Sequence, residues 1–206
     1  TLDRKRIRKD PATRRAEIVA AAGTIALAEG LESVTLRRVA DDLAVRPGLI
    51  SHYFPSADDL VAEAYGSAAG AELDILMPAA DRDESPTVRL GRFFSRTMLA
   101  PYDEMSRLWV NVRHLARYRP LLAERVAQQE TAWRDRLGGL IADGIAAGEF
   151  TTDDPEAVVM MILVVLDGLS AYVNTGTIQR PEKVLTMHSA LAERELGLAP
   201  GTLARV

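Results

Sequence analysis

The sequence predicts an all-α protein of about nine helices, a short three-helix unit containing a helix-turn-helix followed by a larger helical unit. Apolar residues recur at helical spacing almost throughout the 206 residues. Alternating runs of Val, Ile, Thr and aromatics bounded by turn pairs are absent, which removes the signal a sheet would leave. Cap and break residues, among them Pro11, Gly30, Thr35, Pro47, Ser56, Pro101, Pro120, Pro155 and Gly197, punctuate the periodic stretches.

The first helix is expected from near Pro11, with Ile18, Ala22 and Ile25 facing inward, to Gly30, which suits the turn after a helix. A second, about two turns long, follows Thr35, whose hydroxyl can cap exposed amides. Leu36, Val39, Ala40 and Leu43 share one of its faces. Ala44, Val45 and Arg46 form a tight connection, and Pro47 opens a third short helix where its missing amide costs nothing. Ser56 and Asp59 form a capping box for a fourth helix running toward Met77.

The acidic stretch from Pro78 to Pro86 reads as an exposed loop. Further helices are expected over 86–101, 103–118, 120–147, 155–173 and 181–196, the last leaving a short tail. The 155–173 helix is apolar on nearly every side and so must be covered all round, for which a partner subunit is a candidate. The expected division is 1–57, including a basic N-terminal arm, and 58–206.

Cysteine is absent, which excludes disulfides, thiolate metal sites and a cysteine nucleophile. The N-terminus is charged, unlike a signal peptide, and the longest apolar run, Ala157 to Leu166, is about half a membrane span. A cytoplasmic protein outside the membrane is expected. Net charge is −4, which argues against a nonspecific coat on nucleic acid. Its distribution is uneven: Arg4, Lys5, Arg6, Arg8, Lys9, Arg14 and Arg15 crowd the first 15 residues, and an acidic excess lies beyond residue 60. The basic arm fits either a polyanion contact or a disordered solubility tail.

By geometry alone, the segment from Thr35 to Phe54 is a helix-turn-helix or an ordinary helical hairpin. Its residues carry a more specific signal. Ala16-Glu17-Ile18-Val19-Ala20-Ala21-Ala22, Ala28-Glu29-Gly30, Val34-Thr35-Leu36-Arg37-Arg38-Val39-Ala40 and Gly48-Leu49-Ile50-Ser51-His52-Tyr53-Phe54 together resemble the N-terminal signature of TetR-family repressors. Ile50 to Phe54 is similar to the BetI-type branch, whose members regulate choline and betaine metabolism. The chain departs from the family in having Arg46 where many relatives have Ser or Thr, and Ala57 where many have a phosphate-binding Lys.

The resemblance implies a homodimer that sets two recognition helices on a palindromic double-stranded DNA operator and leaves it when a small-molecule effector binds. The expected DNA-binding residues are Thr35, Arg37, Arg46, Pro47, Gly48, Ser51, His52 and Tyr53. Hydroxyls at Thr35 and Tyr53 suit phosphates, and Arg46 suits a guanine edge. Gly48 allows close approach. Packing for Tyr53 and plain solvation for His52 are the competing readings.

Farther along, Leu108-Trp109, Tyr118-Arg119-Pro120-Leu121-Leu122, Gly148-Glu149-Phe150 and Leu166-Asp167-Gly168-Leu169 are similar to features of BetI-like C-terminal domains. They imply helices around a cavity and a four-helix bundle across a two-fold axis. Candidate ligand contacts are Phe94, Met98, Tyr102, Trp109, Arg113, Trp133, Met161, Asp167 and Tyr172, with core packing the stronger reading for each. Aromatics such as Trp109 and Tyr102 can cage a quaternary ammonium group. No cofactor or metal is called for. His52, His114 and His188 lie in separate segments without metal or triad spacing, and phosphate-loop and nucleophile-elbow motifs are missing, so the sequence points away from an enzyme. A dimeric interaction module without DNA binding is the remaining alternative.

Overall fold

The computed structural model describes residues 10–173 and 181–205. Among these, the chain folds into ten α-helices and three short 3-10 turns, with no strand. Arg4, Lys5, Arg6, Arg8 and Lys9 of the basic arm lie outside the described residues.

Helix α1 (Pro11–Glu29) starts on Asp10, whose carboxylate accepts the amides of Ala12 and Thr13. It stops at Gly30, whose φ of +90° is a conformation that side-chain-bearing residues avoid. Helix α2 (Leu36–Asp42) is capped by Thr35, which accepts the Arg38 amide at 3.0 Å. The turn to α3 (Pro47–Tyr53) closes with Val45 N–H donating to Ala40 O and Ala44 N–H to Asp41 O. This is a Schellman arrangement with alanine, at φ +52°, where glycine is usual. Ile18, Ala22, Val39, Ile50 and Phe54 bury the contact among the three helices.

Helix α4 (Ala57–Leu76) begins on the reciprocal Ser56 and Asp59 capping box. It packs against α1 on one side and against α7 (Pro120–Ala146) on the other, so the expected division after residue 57 coincides with the start of a shared helix. Three ion pairs join α4 to α7 and its N-cap Arg119: Asp58 to Arg119 at 3.8 Å, Glu63 to Arg125 at 2.9 Å and Asp74 to Arg136 at 3.0 Å. All are part-exposed and each is worth at most about 1 kcal/mol, so they fix register more than they add stability.

Helices α5 (Pro86–Thr97), α6 (Ala100–Ala116) and α8 (Pro155–Val173) complete the larger unit with α9 (Glu182–Leu185) and α10 (Met187–Glu195). The structure departs from expectation in four places. The 78–86 segment carries a 3-10 turn, Ala79–Asp83, and is pinned by Asp81, which takes Arg96 at 2.6 Å and Arg92 at 3.4 Å. The expected last helix breaks at Thr186, whose hydroxyl donates to Glu182 O, letting His188 and Ser189 turn inward against α5. That break makes ten helices of the expected nine. The tail is tied down: Glu193 is buried and accepts the amides of Gly201 and Leu203, both at 2.8 Å. Finally, α8 is long and apolar enough by composition to cross a membrane. It packs on α6, α7 and α10, yet leaves Met160, Val164, Gly168 and Tyr172 exposed along one stripe.

Candidate nucleic-acid interface and internal pocket

The α2–α3 pair presents one polar face. Arg46, Pro47, Gly48, Ser51 and His52 are exposed, whereas Ile50 is fully buried and Leu49 half-buried on the opposite side of α3. A Cβ at Gly48 would meet nothing of the chain within 4 Å. Packing inside the protein therefore does not demand glycine there, and the bare backbone faces outward. Thr35 spends an oxygen lone pair on its cap and keeps its hydroxyl proton free of that bond. Arg37 stands at the start of α2 with 87% of its side chain exposed, 4.0 Å from Asp41, a pair too solvated to hold it. Tyr53 is half-buried, packed on the core and edge-on to His52 at 5.2 Å. Arg14 and Arg15, grouped with the basic arm by sequence, belong to α1. The first pairs with Glu17 at 2.6 Å; the second stacks over Phe54 and reaches Glu63 at 3.4 Å.

The pocket lies between α6, α7 and α8 and encloses about 140 Å³. Helix α6 contributes Tyr102, Trp109 and Arg113, α7 contributes Glu130, Trp133 and Arg134, and α8 contributes Met160, Val164, Leu166, Asp167 and Ser170. Of the nine sequence candidates, Tyr102, Trp109, Arg113, Trp133 and Asp167 converge here. Phe94 packs between Phe93 and His188, and Met161 packs half-buried against the core. Met98 lines a second cavity of about 100 Å³ that shares the Tyr102, Leu166 and Ser170 wall. Tyr172 is on the exposed stripe of α8.

Indoles dominate the wall. Trp109 meets Tyr65 edge-on at 5.5 Å and Trp133 at 6.4 Å, and the Arg113 guanidinium lies over the Trp109 ring at 5.2 Å. Arg113 also reaches Asp167 at 2.9 Å and Glu130 at 3.4 Å, so it joins three helices. Burial works against its charge, but the hydrogen bond and attraction of Asp167 outweigh that and it stays protonated.

Behind Trp109 sits Glu72, 5% exposed, which accepts the indole N–H at 2.8 Å through one carboxylate oxygen. The other oxygen, the Tyr65 hydroxyl and the Trp133 N–H have no hydrogen-bond partner among the described residues. Burial pushes the Glu72 carboxyl up to about 7, opposed by the Trp109 hydrogen bond and assisted by the negative Asp167. Burial likewise raises the Tyr65 and Tyr102 hydroxyls well above the usual phenol range. In the second cavity, burial lowers His188 to about 4, leaving a neutral ring 3.3 Å from the Thr97 hydroxyl. No cluster of three metal-ligating side chains occurs among the described residues.

Sequence reasoning missed Glu72, Glu130 and Arg134. For Glu72 a signal existed: it lies three residues after Ala69 and four before Leu76 on the buried face of α4, a charge inside an apolar stripe. The other two sit on mixed faces of α7 and look like ordinary solvated charges.

The family model for bacterial regulatory proteins of the tetR family matches residues 18–64, and that for the C-terminal domain of BetI-type transcriptional repressors matches 92–196. A TetR-family regulator structure from Rhodococcus sp. superposes with a TM-score of 0.71 at 22% identity, covering 90% of this chain and 96% of the other. A transcriptional regulator from Pseudomonas aeruginosa PAO1 gives 0.73 at 22%, covering 96% of each chain. One from Saccharomonospora viridis, solved in complex with choline, gives 0.70 at 20%, covering 88% of this chain and 95% of that one. No curated protein matches the chain.

Proposed function

The chain belongs to the TetR family of bacterial regulatory proteins, with a BetI-type C-terminal domain, and from that premise we propose that it is a cytoplasmic homodimeric repressor released from a palindromic operator by a small organic cation. The outward face of α3, with Arg46, Pro47, Gly48, Ser51 and His52 exposed over a buried Ile50, carries the DNA-reading half of this proposal. In it, Arg46 reads a base edge while Thr35, Arg37 and Tyr53 hold phosphates and fix register. A second copy covers the Met160, Val164 and Tyr172 stripe of α8, and the two-fold axis so created requires a palindrome.

Trp109, Trp133 and Tyr102, with Glu130 and Asp167 beside them, provide the aromatic faces and negative charge an organic cation needs. The choline complex of the Saccharomonospora viridis protein supports that class. Release follows if the cation binds the DNA-free arrangement more tightly than the DNA-bound one.

Selection of bound sequences from random duplex DNA tests the reading. Enrichment of a palindrome with half-sites about one helical turn apart, and its release by choline, is the expected result. Binding without an enriched sequence leaves an interaction module instead of a regulator.

A further inference from the structure

We propose that Arg113 is an internal occupant of the cage: its guanidinium holds, on Trp109 and between Glu130 and Asp167, the place an incoming organic cation takes, and the exchange breaks the ion pairs that link α6 to α7 and α8. This rests on the reading of the cavity as the effector pocket. A free cation in an apolar pocket needs an aromatic face and a compensating carboxylate. Arg113 has both, at 5.2 Å from the Trp109 ring, 2.9 Å from Asp167 and 3.4 Å from Glu130. The site is built for a cation and already contains one.

Charge decides what can replace it. Two carboxylates face one guanidinium, and Glu72 lies behind the same indole with an unpartnered oxygen. An anion would meet both carboxylates and find the Arg113 donors engaged, while the second arginine of the wall, Arg134, is turned to Thr131 at 3.1 Å. A monovalent cation inherits both carboxylates and the indole face. The displaced guanidinium has somewhere to go, because 37% of the Arg113 side chain is exposed.

The exchange is not neutral for the fold. Arg113 is covalently part of α6, whereas a ligand held by Asp167, Glu130 and the Trp109 face replaces its two ion pairs and leaves α6 tied there only by looser contacts. Two residues earlier, and so on another face of the helix, Asn111 accepts the Leu31 amide at 3.0 Å and donates to Glu32 at 2.9 Å. Helix α6 is thus fastened at the pocket by Arg113 and at the N-terminal unit by Asn111. Opening the first fastening lets occupancy of the cage reach the second.

The test is chemical rescue. Arg113→Ala is melted with millimolar guanidinium or choline chloride against the same concentration of sodium chloride, and the unsubstituted protein is treated alike. Choline affinity is read from indole fluorescence, since both tryptophans of the chain line the pocket. Either cation is expected to raise the melting temperature of the variant more than that of the unsubstituted protein, and choline to bind it at least about tenfold tighter. Arg113→Lys keeps the charge without the planar stack and is expected to lie between; it also serves if the alanine variant does not fold. Equal or absent cation effects on variant and unsubstituted protein overturn the proposal. Operator selection is run without cations, so its failure sinks the regulator reading without bearing on the cage.

Discussion

Replacing Glu72 by Gln exchanges a neutral-or-charged carboxyl for an always-neutral amide that still accepts the Trp109 N–H. In the folded chain this carboxyl titrates near 7, against 4.5 ordinarily. Between those values the folded state holds a proton the unfolded chain has released, so the Glu72 contribution to stability is complete below about 4.5 and is lost as pH rises through 7. The size of that loss is roughly 3 kcal/mol, taking about 1.4 kcal/mol for each pH unit between the two values. His188 acts in the opposite sense. Its folded value near 4 lies below the ordinary 6.5, so its contribution is present above 6.5 and fades as pH falls through 4. The raw profile of the protein is therefore flattened on the acid side. The difference between protein and E72Q cancels His188 and isolates Glu72. Urea unfolding at a series of pH values, followed by indole fluorescence, gives both stabilities. The protein is expected to lose ground to E72Q steadily up to neutrality and to stay level above it. A difference independent of pH refutes the buried neutral acid, because it means that Glu72 takes up and releases its proton alike in the folded and unfolded chain. The offset between the two proteins is no test, since the new amide NH₂ needs acceptors of its own.

Ala44→Gly should stabilise the chain by about 0.5 to 1 kcal/mol, because relief of the left-handed backbone exceeds the entropy glycine adds to the unfolded state; urea midpoints check it, and a destabilised variant refutes the turn assignment. Arg46→Ala should cost about 1 to 3 kcal/mol of operator binding and relax preference at one base pair. Equal losses on operator and random duplex, by fluorescence anisotropy, reject base reading. Tyr53→Phe should weaken both kinds of DNA alike if its hydroxyl holds a phosphate. Asn111→Ala should leave operator affinity nearly intact while raising the choline concentration needed for release, measured on the same duplex.

Local chemistry made much of the fold readable before any coordinates. Asp59 three residues after Ser56, Pro47 at a helix start and Gly30 past a helix end each solve a backbone problem that has few solutions, and each sits where it was expected. The break at Thr186 had no such marker: neither Gly nor Pro is there, and the helix bends because His188 finds space against Phe94 and Thr97. Site residues divide similarly. The face of α3 is set by a short repeat that one helix displays unaided. The pocket is assembled from three helices, and only their packing separates Trp109, which lines it, from Phe94, which does not. Convergence of that kind is a property of tertiary distance, which one-dimensional spacing does not encode.

The α4–α7 pairs bear on how salt titrations of this protein are read. Every acid of the three is on α4 and every base on α7 or at its N-cap, so added salt weakens them together. The slope of operator affinity against salt concentration is ordinarily taken as a count of counterions released from phosphates. Here the same salt also screens the pairs between α4, which follows the helix-turn-helix, and α7, which lines the pocket, so a salt slope mixes both effects. Reversing all three pairs at once keeps the pairs and their screening, whereas replacing them with apolar contacts removes that contribution and leaves the phosphates alone to set the slope.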